Sequence, residues 1–220
     1  MGDIPKYLSD AGTRAALLEK LLDHVYLSLV PLVVSIVLAI VLGLLCHRFR
    51  PVNAVLVSLS NVVYTIPSLA LFALIPAMIG TRVLDPVNVI IALTLYTTAL
   101  LVRPVAEALA AVPSHITASA TAMGFRPWRR FLAVELPLAV PVLAAGVRVG
   151  SVSNISLVSV GALIGTGGLG TLFTDGFQQR YLAPIIVGIV LTLVLALVVD
   201  LVLVLLRNRL TPWVRAGGKP

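Results

Sequence analysis

Residues 165–170 read GTGGLG, a G-x-G-x-x-G spacing whose backbone N–H groups would cradle a dinucleotide pyrophosphate between a short strand and a helix. The flanks refuse that chemistry. A long apolar run precedes the glycines, and residues 186–192, IVGIVLT, hold no carboxylate for a ribose hydroxyl. Glycines in such a setting suit a tight re-entrant turn or close helix packing, since they accept positive φ and let backbones approach. Other reactive side chains are thinly spread. His24, His47 and His115 are too scattered for a metal or proton-transfer cluster. Cys46 is the only cysteine, which excludes an internal disulfide and a thiolate metal site. No G-x-x-x-x-G-K-[ST] phosphate loop is present, so any ATP energy has to come from a partner. The expectation is a chain that is not an enzyme and binds no cofactor or metal itself.

These residues are set in a chain built for lipid. Of 220 residues, 59% are hydrophobic and 11% charged, with a mean hydropathy of +1.07; soluble domains carry about 25% charged residues. The net charge of +7 falls in short clusters between apolar runs. A nucleic-acid binder gathers such charge on a soluble face, so nucleic acid is not an expected partner and membrane lipid is. The apolar runs predict an all-α integral membrane protein with five transmembrane helices, at about 25–46, 52–80, 86–112, 136–164 and 181–206. Pro67 and Pro76 make the second of these a bent span. Together, residues 25–207 form the transmembrane domain. Residues 1–24 form a polar external tail without the basic start and short apolar core of a secretory leader, so span one is the expected insertion signal. Basic residues follow span one (His47, Arg48, Arg50), separate spans three and four (Arg103, Arg126, Arg129, Arg130), and mark the last span's end and the tail at 208–220 (Arg207, Arg209, Arg215, Lys219). The positive-inside rule puts the N-terminus outside and the C-terminus inside, and five spans satisfy all three clusters.

Polar residues inside the spans are costly and therefore candidates for function. Arg148 lies 11 residues beyond Pro137, about 16 Å along a helix and so near mid-membrane. It suits pairing with a carboxylate or with carbonyls at a broken helix, or a place on a solute path. Asp200, within two turns of Arg207, suits structural pairing. Ser151, Ser153, Asn154, Ser156 and Ser159 make span four unusually polar, and Asn61, Thr65 and Pro67 do the same at the kink. Path lining and helix packing both use such residues. Candidate path residues are Asn61, Thr65, Pro67, Ser151, Asn154 and Ser156. Tyr64, Phe72 and Tyr96 are the rings available for a quaternary ammonium, and equally ordinary packing residues.

The segment between spans three and four is longer and more polar than a connection needs. Ser114 is a candidate N-cap, a short helix of small residues follows over ITASATAM, Gly124 stops it, and Pro127 starts another with Trp128 and Phe131 as aromatics. Small residues beside a protruding aromatic suit docking into a partner's groove; an interfacial segment lying on lipid is the alternative. This stretch resembles the EAA loop of permease subunits of ATP-binding-cassette importers: EAA, three residues, G, nine residues, I-x-LP. Gly124 matches the glycine, and Val134, Glu135, Leu136 and Pro137 match I-x-LP with Val for Ile. The triplet falls on Ala118, Ser119 and Ala120, without its acidic residue; the nearby Glu107 is out of position. Residues 62–80, VVYTIPSLALFALIPAMIG, and 162–173, ALIGTGGLGTLF, resemble the osmoprotectant branch, which imports glycine betaine, choline, carnitine or proline, and methionine-importer permeases share the size and five-span layout.

The resemblance implies a cytoplasmic coupling helix in the 113–135 loop, with Ala118, Ser119, Ala120, Gly124, Phe125, Arg126 and the VELP residues contacting a cytoplasmic ATPase. It further implies a second permease copy or paralogue, an external substrate-binding protein, ATP and Mg on the ATPase, alternating access, and residence in a bacterial or archaeal plasma (inner) membrane. Methionine or another small solute is the alternative cargo. An ion-coupled secondary transporter is disfavoured, because no inverted repeat is evident and Asp200 is the only acid well within a span. A membrane scaffold without a transport role fits neither the broken span nor the polar face.

Overall fold

Asp10 divides the N-terminal segment into two helices, α1 (Asp3–Ser9) and α2 (Ala11–Arg48), in a computed structural model that describes residues 3–216. As N-cap of α2, its carboxylate accepts from the Thr13 backbone N–H at 2.7 Å and hydroxyl at 2.8 Å. The backbone bond above all holds the Asp10 carboxyl below the usual carboxylate range. With that cap α2 runs 38 residues, about 57 Å. Residues 11–24 of the expected tail are thus helical and continuous with the first span.

The expected second span is broken. Helix α3 (Arg50–Thr65) ends where Pro67 disfavours helical backbone at Ile66, which sits extended at φ −64° and ψ 128°. After the break, α4 (Ser68–Ile79) leaves at 102° to α3 and stops at Gly80. Asp85 caps α5 (Pro86–Ala110) through Val87 N–H at 3.0 Å. There follow α6 (Ser114–Ala122), α7 (Pro127–Arg130), a π-helical turn (Phe131–Glu135), α8 (Leu136–Gly161), α9 (Thr171–Gln178), α10 (Leu182–Leu210) and α11 (Pro212–Ala216). In α6 Pro113 takes the N-cap position and Ser114 begins the helix, because Pro113 holds the extended backbone a cap requires. Among the described residues no strand occurs. Four helical stretches are long and apolar enough to cross a bilayer, or five with the bent α3–α4 pair counted as one span.

Helix α5 is the centre of the bundle, packed on α2, α3, α4 and α8, while α10 lies against α8 and α9. Lipid tails are as apolar as leucine, so close packing and internal hydrogen bonds hold such helices together. Small residues permit that closeness. A Cβ added to Gly43 of α2 would lie 2.7 Å from the Cβ of Val105 on α5. Around these contacts Leu27, Phe72, Leu93 and Val158 form one buried cluster, and Ala39, Leu101, Leu109 and Phe131 another nearer the α6 end.

The glycine stretch joins α8 to α9 as a compact turn. Gly165 and Gly168 take left-handed backbone at φ 85° and 91°, and a Cβ on Gly170 would meet Ser159 O at 2.5 Å. Leu169, fully buried, donates its N–H to His24 Nδ1 at 3.1 Å. That bond fixes the tautomer: Nε2 carries the proton and donates it to Ile155 O at 2.9 Å. One buried histidine thus ties α2, α8 and the turn together.

Candidate functional site: an open cleft at a broken span and a projecting helical elbow

The break in the second span opens a cleft of about 440 Å³ against α5 and α8, lined by Tyr64, Ser68, Tyr96, Val152, Ser153 and Ser156. Tyr64 closes the last turn of α3 and Ser68 opens α4, so proline chemistry at the break positions both. The Tyr64 and Tyr96 rings lie 5.5 Å apart at 57°. Tyr64 is half exposed and Tyr96 largely buried, whereas Phe72, the third ring weighed from sequence, is enclosed in the core.

The candidate path residues separate into two groups. Ser156 faces the cleft, and Asn61, Thr65 and Pro67 are exposed near it on α3 and the break. Thr65 donates its hydroxyl to Val62 O at 2.7 Å. Asn154 and Ser151 are buried on the opposite side of α8. Asn154 accepts from Thr97 at 2.5 Å and donates to Ser28 O at 3.1 Å, bridging α8 to α5 and α2. Ser151 donates to Arg148 O at 2.8 Å. Ser153, one of the span-four polar residues noted from sequence, and Ser68, which was not, add two further hydroxyls to the cleft.

The two ionised residues flagged in spans four and five meet each other. Arg148 Nε and Nη2 donate to the Asp200 carboxylate at 2.5 and 2.8 Å, a two-pronged bond joining α8 to α10. Asp200 therefore has its structural partner in Arg148. Among the described residues no three His, Cys, Asp or Glu side chains converge on a metal position.

At the other end of α5 and α8 an elbow projects. Helix α6 ends at Ala122 with Met123 as its C-cap, Gly124 reverses the chain at φ 82°, and Phe125 N–H returns to Ala120 O at 3.1 Å. Ala120 is buried at this turn, while Ala118, Ser119 and Arg126 are exposed. Phe125 is half-buried beneath the Arg129 guanidinium, 5.1 Å from its ring centroid. Arg130 braces the elbow, donating to Glu135 at 2.6 Å and to Thr121 at 2.8 Å. Glu135 is buried in the π-helical turn, Val134 beside it is half-buried, and Leu136 and Pro137 open α8. The elbow's ion pair thus comes from the VELP segment, with no acid at 118–120. Met123 (70% exposed) and Trp128 (65%) stand out as apolar surface.

Helices long enough to cross a bilayer, a span broken over an open polar cleft, and a braced elbow between two spans define a polytopic membrane transport component. Residues 35–212 match the family described as binding-protein-dependent transport system inner membrane component, and the chain belongs to that family. It is 31% identical over 196 residues to the glycine betaine/carnitine/choline transport system permease protein OpuCB of Bacillus subtilis, covering 89% of each chain. To the osmoprotectant import permease protein OsmW of Salmonella typhimurium it is 32% identical over 193 residues, covering 86% of this chain and 87% of that one. Its fold matches the inward-facing MetNI methionine ABC transporter with a TM-score of 0.79 at 20% identity, over 92% of this chain and 99% of that one.

Proposed function

We infer that this chain is the membrane-spanning permease subunit of an ATP-driven, binding-protein-dependent importer of compatible solutes such as glycine betaine, choline, carnitine or proline. The observation that carries this is the 31% identity to an osmoprotectant permease along 89% of both chains. A cleft with aromatic and hydroxyl walls and no charged side chain among its lining residues supports it, because a solute in transit needs contacts weak enough to release it.

In this reading the basic clusters set five spans with the N-terminus outside and the C-terminus in the cytoplasm of a bacterial or archaeal cell. Two permease chains pair around the path, and an external binding protein delivers solute. Two ATPase subunits, which bind ATP and Mg, grip the elbow around Gly124, Phe125 and Arg126. Arg130 and Glu135 make the elbow stiff, so motion of the ATPases passes through the π-helical turn into α8 rather than dissipating in a loop. ATP binding rocks the permeases outward, and hydrolysis returns them. This chain supplies no catalytic group and binds no cofactor.

Uptake of labelled glycine betaine tests this in a transport-deficient host under high salt, with the chain and its neighbouring subunits expressed. Uptake that needs this chain, disappears with an ATPase-dead partner and ignores excess methionine is expected. Uptake that persists without any ATPase refutes the importer class; no uptake by an assembled, ATP-hydrolysing complex refutes the solute.

A further inference from the structure

We propose that the Tyr64–Tyr96 cleft is a solute-contact subsite, in which the two rings hold a trimethylammonium group while Ser68, Ser153 and Ser156 meet the solute's polar end. The assignment rests on the compatible-solute reading above and adds the residues that touch the solute.

A trimethylammonium group has no N–H to donate, and its charge is spread over methyl surfaces. Hydrogen bonding cannot hold it, but the negative face of an aromatic ring attracts it within about 6 Å of the centroid. The tyrosine rings lie 5.5 Å apart, tilted by 57°, and both line the cleft: half-exposed Tyr64 presents the larger surface to a cation and Tyr96 the smaller. Tyr64 lies in the last turn of α3, where unpaired backbone carbonyls carry the negative end of the helix dipole, a further attraction for positive charge.

The serine hydroxyls point to the same use. In lipid a helix hydroxyl normally donates to its own backbone, as Ser28, Ser151 and Thr94 do here. Thr98 and Ser159 also lack a partner but are enclosed; Ser68, Ser153 and Ser156 make no such bond among the described residues and line the open cleft. A free hydroxyl both donates and accepts, so the same three serve a carboxylate, an alcohol or an ester. Charge recognition by the rings and indifferent hydrogen bonding by the serines together select for the ammonium end and tolerate variety at the other. With no carboxylate in the cleft, nothing locks the cation in place.

The test uses the whole importer in proteoliposomes, with [14C]glycine betaine delivered by its binding protein and pairing of the permease chains checked by size-exclusion chromatography. Tyr64 is 47% exposed, so its replacement does not empty the core. Tyr64→Leu is expected to lower the maximal uptake rate about fivefold, the factor lost with a partly exposed cation–π contact. The half-saturating concentration, set by the binding protein, should stay put. Tyr64→Phe, which keeps the ring, is expected to retain at least about half the rate. A second measurement leaves the rings intact: Ser156→Cys should react with a trimethylammonium-bearing thiosulfonate at least about threefold faster than with an anionic one, after correction for their rates with free thiol.

Wild-type rates in Tyr64→Leu overturn the assignment, as does an equal loss in Tyr64→Phe, which would place the effect in the hydroxyl. Separation of the permease pair by Tyr64→Leu overturns it in favour of a packing seam, and equal rates for the two reagents overturn it as well. Absence of uptake by the unaltered importer is a different result: it refutes the compatible-solute reading and takes this subsite with it.

Discussion

Replacing His24 with alanine tests the idea that one buried side chain holds the glycine turn in place. The imidazole is fully enclosed and makes two bonds, accepting from Leu169 N–H at 3.1 Å and donating to Ile155 O at 2.9 Å. The two losses are unequal. Ile155 lies inside α8, where its carbonyl keeps its helical partner, whereas the buried Leu169 N–H is left with none. An orphaned buried donor costs about 1–3 kcal/mol, and the emptied ring volume adds about 1 kcal/mol. A total near 2–4 kcal/mol corresponds, for a chain of this size, to a fall in Tm on the order of 10 °C. The assay is thermal unfolding of the purified chain in detergent. His24→Asn keeps an acceptor near the Nδ1 position and should recover about half of the loss, since the Leu169 bond is the costlier of the two. A His24→Ala protein that melts with the wild type, or an Asn variant no better than Ala, refutes the assignment of tautomer and tether.

Three further outcomes follow from the packing. Arg148→Leu or Asp200→Leu alone strands a charge in the membrane and should cut the yield of correctly folded chain, while the double replacement recovers much of it; equal yields for single and double variants would remove the pair's structural role. Gly43→Leu forces side-chain atoms into space already taken by Val105 and should destabilise the α2–α5 contact by about 1–3 kcal/mol, read as a lower Tm, with Val105→Ala giving part of it back. Met123→Asp combined with Trp128→Ala removes the elbow's exposed apolar surface and should lower co-purification of the ATPase at least about tenfold while the chain still inserts; undiminished capture would move the docking site elsewhere.

How much of this was legible in the sequence depends on the range of the cause. Spans follow from composition over about twenty residues, and the break at Ile66 follows from Pro67 alone. The elbow was equally local: Pro113, Gly124 and Pro127 act on their own neighbours. Ser114 missed the cap position by one residue, since Pro113 satisfies the same backbone requirement without a side-chain bond. Long-range partners were not visible. Arg148 and Asp200 were each conspicuous, but they stand 52 positions apart and nothing in between joins them. His24 looked like a span-edge histidine because Leu169 is 145 positions away. Span four showed many polar residues without showing their directions. Asn154 and Ser156 are two positions apart, about 200° around a helix; one turns to α2 and α5 and the other to the cleft, and only the neighbours decide which.

The Arg148–Asp200 pair has a consequence for the energy source. A lone charge carried across the membrane field exchanges about 2.3 kcal/mol per 100 mV, which would let the electrical potential push or stall the helix bearing it. Bound two-pronged at 2.5 and 2.8 Å, the two groups travel as one unit of zero net charge. In the rocking motion proposed above, α8 and α10 carry this pair without electrical work of its own, so for a zwitterionic solute the pair adds no dependence on the membrane potential.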